Sequence, residues 1–134
     1  MDAARLVAEA ERTMRGCPRP EDVIAEAWQA YELTEAVAQL LADRAGGGCG
    51  HPRPVRERQG SGAGPPRAAR LTGVRDAAGT LRALRVLLGE IGLALVGLTG
   101  SAEDESGYWS CVDALDAVDE AKERLRALTQ AGTG

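Results

Sequence analysis

Three carboxylates near the C-terminus, Asp113, Asp116 and Glu120, are spaced by three and four residues. On a helix they would therefore share one face. Carboxylates from facing helices can hold a pair of metal ions inside a helical bundle, but that site also needs histidines in Glu-x-x-His pairs. The single histidine, His51, lies in a glycine-rich stretch. We therefore interpret the acidic face as solvated and expect no metal site.

Cys49 and His51 are the other pair that could do chemistry. A zinc site needs four ligands with closely spaced cysteines, and Cys17 and Cys111 are far from Cys49 in the chain. Nucleophilic catalysis by a Cys–His pair needs firm positioning, which a glycine-rich loop does not give. We expect no catalytic residue, no cofactor and no enzyme activity. Three unpatterned cysteines indicate free thiols and a cytoplasmic location.

Four aromatic residues form the most suggestive constellation: Trp28, Tyr31, Tyr108 and Trp109. One pair follows the predicted start of the second helix and the other pair follows that of the fourth, at similar distances. In an up-and-down bundle these two helices start at the same end, so the four residues would share one layer near that end. Aromatic side chains with polar atoms often line ligand pockets or interfaces. They are the candidate interaction or pocket residues, although filling space in an alanine-rich core is the favoured explanation for them.

One apolar repeat alternates three and four residues without a break, as in helices that pack against other helices. Its members are Val74, Ala77, Leu81, Leu84, Leu88, Ile91, Leu95 and Leu98. Patterns of alternating polarity typical of strands are missing. The repeat therefore predicts an all-α protein.

The helices are expected at about 2–15, 20–44, 73–98 and 101–128, in a single domain over 1–134. Pro20 suits a first helical position, and Ser101 is predicted to cap the last helix. Short turns join the helices of each pair. Residues 45–70 contain seven Gly and four Pro, which predicts a disordered linker. The expected fold is an antiparallel four-helix bundle of two hairpins joined by this long flexible linker.

The third predicted helix is apolar nearly all round over 91–98, so we expect it to be the most buried. Gly89, Gly92 and Gly97 lie in it, and each glycine costs about 1 kcal/mol against alanine in a helix interior. Close contact with a neighbouring helix would explain them, and the alternative is room for a ligand against the backbone.

The net charge of −4 is unevenly distributed, with acidic blocks over 1–43 and 76–134 flanking a basic block over 44–75. Solvated acidic helices and a basic linker explain this pattern. An acidic folded body repels phosphate, so nucleic acid is not an expected partner. The longest apolar stretch, 86–98, contains Glu90 and is too short to span a bilayer, and no membrane role is expected.

Several segments resemble a small uncharacterised family of actinobacterial proteins, Streptomyces-like in composition. The resemblance lies in LTGVRDA at 71–77, LLGEIGLALVG at 87–97, YWSC at 108–111, DALDA at 113–117 and AEAWQA at 25–30. It covers the last three predicted helices and not the linker. It implies a cytoplasmic actinobacterial protein and carries over no activity and no site residue.

The expected function is a small cytoplasmic, non-enzymatic protein-interaction or regulatory module that can self-associate. The third helix is apolar nearly all round and needs more cover than three amphipathic neighbours supply, and the first helix, with few large apolar residues, is only a thin lid over it. If that lid is loosely held, the bundle can open and offer a groove to a partner helix. The alternative is a small-molecule-binding bundle with an aromatic-lined pocket.

Overall fold

The computed structural model describes residues 1–16, 18–44 and 67–133. These residues form helices and no strand, which confirms the all-α class. The helices are α1 (Ala3–Arg15), α2 (Pro20–Arg44), α3 (Arg67–Arg70), α4 (Ala77–Ser101) and α5 (Glu105–Thr133). The bounds of α2 are as predicted, and α2 begins at a proline, whose missing N–H costs nothing in the first helical turn. Residues 45–66, the larger part of the linker predicted over 45–70, lie outside the described residues.

The start of α4 is later than predicted because the chain before it pairs with the N-terminus. The N–H of Thr72 donates to the carbonyl of Met1, and the N–H of Ala3 donates to the carbonyl of Gly73, both at 3.0 Å. The backbone groups of Thr72 and Gly73 used in this way cannot also form hydrogen bonds within a helix. Asp76 then caps α4 by accepting a hydrogen bond from the Gly79 N–H at 3.0 Å.

The predicted cap of the last helix is wrong. Ser101 is the final residue of α4, and its hydroxyl donates to the Gly97 carbonyl at 3.2 Å. Asp104 takes the capping role, because its carboxylate accepts from the Gly107 N–H at 2.8 Å. Accordingly α5 begins at Glu105 rather than at 101, and it continues to Thr133 beyond the predicted end at 128.

The predicted apolar repeat on α4 faces the core. Leu84, Leu88, Ile91 and Leu95 have no exposed surface. The helices around them contribute smaller side chains, which allow close approach. The buried residues of α2 and α5 include Ala27, Ala30, Leu33, Val37, Ala114, Val118 and Ala121.

The four long helices share this core. The α5 helix packs against both α2 and α4, which also pack against each other, and α1 packs against α4 and α2. The α1 helix fully buries Leu6 and Val7 in this core. Among the described residues, no helix combines the length and hydropathy needed to cross a membrane.

The end of the predicted linker is folded rather than flexible. Residues 67–70 form α3, which packs against α2. The Arg67 guanidinium pairs with Glu26 of α2, and their side chains are only 12% and 7% exposed. The Arg67 N–H donates to the Gln29 side-chain oxygen at 3.1 Å. The buried Glu26 carboxylate needs a cation beside it. Its ion pair with Arg67 therefore holds α3 against α2.

Arg70 makes the matching tie to α1. Its two terminal nitrogens each donate to a Glu9 carboxylate oxygen at 2.9 Å, a bidentate geometry that is strong for this type of pair. The Arg70 guanidinium holds the pKa of Glu9 below its usual value of 4.5. Arg67 thus joins α3 to α2, and Arg70 joins α3 to α1.

This pair predicts a pH dependence of stability. Because the pKa of Glu9 is lowered in the folded state, its contribution is present above the usual value of 4.5 and is lost as the pH falls through the lowered value. We expect Glu9→Gln to be less stable than wild type near neutral pH, with the difference shrinking below 4.5. Urea unfolding of both proteins over a pH series measures this. A difference that stays constant down to acid pH would contradict the assignment.

Candidate functional site

The side of α4 that faces away from the core is apolar and uncovered. Leu93 is 76% exposed, Val96 57% and Val86 54%. Leu93 lies nine residues after the fully buried Leu84, which on a helix corresponds to about half a rotation. The prediction that this helix is the most buried is therefore wrong over 91–98, whereas the exposed side chains agree with the prediction that its apolar surface needs more cover than its neighbours give. The uncovered residues lie opposite the predicted apolar repeat, which was the available signal.

Gly89, Gly97 and Gly100 lie on or beside this uncovered side of α4, whereas Gly92 is buried. A Cβ atom built on Gly89, Gly97 or Gly100 would meet no other described part of the chain within 4 Å. On Gly92 it would make only ordinary contacts, 3.6 Å from the Lys122 ammonium. Gly92 is buried beside Lys122 and Val118 of α5, which fits the predicted packing against a neighbouring helix, whereas no helix of the same chain explains Gly89 and Gly97. Gly89, Gly97 and Gly100 leave the backbone of α4 open to an approaching molecule.

The open space at these glycines has a measurable consequence. Gly89→Ala and Gly97→Ala are each expected to raise the free energy of unfolding by about 0.5–1 kcal/mol, because alanine has the higher helix propensity and nothing obstructs its methyl group. Urea unfolding at low protein concentration measures the change. A loss of stability in either variant would mean that the backbone there is held against another element of the chain.

A groove of about 480 Å³ runs between α4 and α5 along the edge of this surface. Glycine backbone and apolar side chains form most of it, and Asp116, Asp119 and Lys122 add charge. The remaining lining residues are Gly89, Gly92, Leu93, Val96, Val112 and Leu115. We call the exposed side of α4 and this groove the α4 outer face. It offers mainly apolar contact, with Asp116, Asp119 and Lys122 as its charged side chains.

The four predicted aromatic residues form two pairs within their own helices. Trp28 and Tyr31 lie edge to face with ring centres 6.2 Å apart, and both are half-buried. Tyr108 and Trp109 lie edge to face at 5.3 Å and are 42% and 57% exposed. None of the four lines the α4–α5 groove. Tyr108 precedes Val112 by four residues, so it lies on the same side of α5 near the groove's end. A shared aromatic pocket stays a prediction.

The other candidate groups show no reactive arrangement in the described part of the chain. Within 1–16, 18–44 and 67–133, no three or more His, Cys, Asp or Glu side chains are grouped so as to hold a metal ion. The acidic residues Asp113, Asp116 and Glu120 are exposed. Burial raises the pKa of the Cys111 thiol, which favours the unreactive protonated form. Cys17, Cys49 and His51 lie outside the described residues.

Comparison with known proteins agrees with the resemblance to an uncharacterised family. No curated protein and no solved structure matches the chain. A family of unknown function matches it over residues 1–131, which is nearly the whole sequence and includes α1 to α4 and all but the last two residues of α5. The chain belongs to this family, DUF6099.

Proposed function

We propose that this chain is a non-enzymatic protein-interaction module that binds an apolar helix on its α4 outer face. The observation that carries the proposal is the exposure of Leu93, Val96 and Val86 along one side of a helix whose other side forms the core. Contiguous exposed apolar surface of this kind typically marks a site of interaction.

The shape of the α4 outer face suits a helix. Apolar residues at 86, 93 and 96 follow the spacing by which one helix presents a stripe to another. The open glycines at 89, 97 and 100 would let a partner backbone approach closely. The groove beside them, with Val112 and Leu115, widens the apolar surface. The partner contributes apolar side chains here, rather than reacting groups.

We further propose that the four long helices form an antiparallel bundle. Arg44 at the end of α2 donates to the Val74 carbonyl just before α4 at 2.6 Å. Ala3 at the start of α1 donates to Gly73 in the same segment. The end of α2 thus lies near the starts of α1 and α4, as an up-and-down order requires. A cytoplasmic location and a regulatory role belong to the same proposal, and the buried Cys111 thiol fits a reducing compartment.

A second candidate function is the binding of a small apolar molecule. The exposed Tyr108–Trp109 pair next to the α4–α5 groove favours it, because aromatic rings commonly line such sites. Titration with apolar ligands should then change the fluorescence of Trp109, and Trp109→Leu should remove that change while Trp28→Leu keeps it. Unchanged fluorescence with every ligand class would argue against this candidate.

Photo-crosslinking in living cells tests the interaction. A photoreactive amino acid in place of Leu93 should give protein adducts, because Leu93 lies at the centre of the exposed stripe. The same amino acid in place of Arg126 is the matched control, since this α5 side chain is 61% exposed outside the α4 outer face. Absence of adducts from position 93, or equal adducts from both positions, would overturn the proposal.

A further inference from the structure

We infer that the partner on the α4 outer face is the same face of a second copy of this chain, with the two α4 helices antiparallel about a two-fold axis at Leu93. The inference rests on the proposed function and names its partner. A two-fold interface uses the same surface on both subunits, so the surface must complement itself. In an antiparallel pair, residues at equal distances before and after the axis face each other.

The sizes of the residues meet this requirement. Gly89 and Gly97 lie four residues on either side of Leu93, and Val86 and Gly100 lie seven residues on either side. Gly89 of one copy would face Gly97 of the other, and Val86 of one copy would face Gly100 of the other. All three glycines have open space at the Cβ position within one chain. The pairing thus places small residues where two helices come close and gives each Val86 a space, while each Val96 would lie at the level of Glu90 of the second copy.

The charges of α4 favour the antiparallel direction. Arg82 and Arg85 are exposed, and neither forms an ion pair with another described residue. The axis at Leu93 would bring Arg82 to the level of the acidic, exposed residues 103–105 of the second copy, and Arg85 to the level of Ser101. Cations are stabilised near carboxylates and at a helix C-terminus. A parallel pairing would instead place arginine beside arginine.

This complementarity favours a second copy over an unrelated protein. An unrelated partner needs no symmetry about a single residue, whereas Val86, the open glycines and the arginines of α4 find complementary counterparts about Leu93; Val96 and Glu90, which would face each other, add nothing to this match. The contact is centred on one helix from each subunit, so it should be smaller than the interface of a permanent dimer. A reversible dimer is therefore expected.

Analytical ultracentrifugation of the full chain over a wide concentration range is the first test. The average mass should rise from 14.0 kDa toward twice that value. Leu93→Asp should weaken dimerisation at least about thirtyfold, as at the centre of an interface, while Ala127→Asp on the exposed surface of α5 leaves it unchanged. Gly97→Leu should also weaken it, yet keep the single chain folded, since its side chain has open space there. Wild type that stays at 14.0 kDa throughout would overturn the inference.

Disulfide trapping tests the direction of the helices. In a background with Cys17→Ser and Cys49→Ser, Leu93→Cys should oxidise to a linked dimer, because the axis passes through this position. Val86→Cys is the matched control: in the antiparallel pair its two copies would be about 21 Å apart along the helices, too far for a disulfide. Equal linking at both positions, or none at position 93, would overturn the two-fold pairing.

The two proposals can fail separately. If the purified chain stays monomeric while position 93 crosslinks to a different protein in cells, the second copy is excluded and the interaction function stands. If position 93 gives no protein adduct, the interaction function itself is excluded.

Discussion

Arg67→Ala is expected to lower the free energy of unfolding by about 3 kcal/mol or more, the cost of leaving a buried charge without its partner. The Arg67 and Glu26 side chains are 12% and 7% exposed, so water reaches neither freely. The Arg67 Nε atom also lies 3.7 Å from the Glu9 Oε1 atom, so the substitution removes one of the cations beside Glu9. Urea unfolding followed by circular dichroism measures the loss.

Two comparisons isolate this pair. Arg126→Ala removes an arginine whose ion pair with Glu123 is 61% and 69% exposed, and it should cost well under 1 kcal/mol. Replacing both buried partners, Arg67→Met with Glu26→Leu, should restore most of the stability, because no charge is then left unpaired. A loss for Arg67→Ala no larger than for Arg126→Ala would show that α3 is not held by this ion pair.

Leu88→Ala is expected to lower the free energy of unfolding by about 2–5 kcal/mol. Leu88 has no exposed surface and belongs to the apolar core, so the truncation removes buried contacts and leaves a cavity. The matched control lies on the same helix, because Leu93 is 76% exposed. Leu93→Ala should change the stability of the single chain by less than about 0.5 kcal/mol.

The contrast between these two leucines checks the orientation of α4. Both changes are leucine to alanine and have the same intrinsic helix propensity, so only burial distinguishes them. Equal losses at both positions in the monomer would mean that Leu93 is packed within its own chain. The α4 outer face would then not be free to bind.

Local signals predicted the parts of the fold that depend on local chemistry. Pro20 and the break in composition after Arg44 gave the bounds of α2, and the three-four repeat gave the buried side of α4. The start of α4 depended on hydrogen bonds between residues 72–73 and the N-terminus. A pairing between such distant parts of the chain leaves no local trace. Ser101 and Asp104 are both good caps, and local sequence did not decide between them.

The ties of Arg67 and Arg70 were missed because composition describes a segment rather than its contacts. The available signal was Glu26, a carboxylate between Val23 and Ala30 on the side of α2 that proved to be buried. A charge at such a position needs a partner. Sequence alone does not say which of the many arginines supplies it.

The need of the third helix for more cover was predicted, but the residues of the candidate site were missed for a different reason. A helix that is apolar all round looks the same in sequence whether a neighbour from the same chain or from another molecule covers it. The glycines could be assigned only when the space around Gly89 and Gly97 was known. The aromatic residues drew attention instead, because their types suggest binding wherever they lie.

The most direct test of the central claim is a photo-crosslinking scan along α4 in living cells. The photoreactive amino acid is placed in turn at exposed positions around the helix, among them Val86, Glu90, Leu93 and Val96, with Arg126 on α5 as the reference. We expect protein adducts that are strongest at 93 and 96, recur at 86 and 90, and are absent at 126. Adducts that do not follow this side of α4, or none at all, would contradict it.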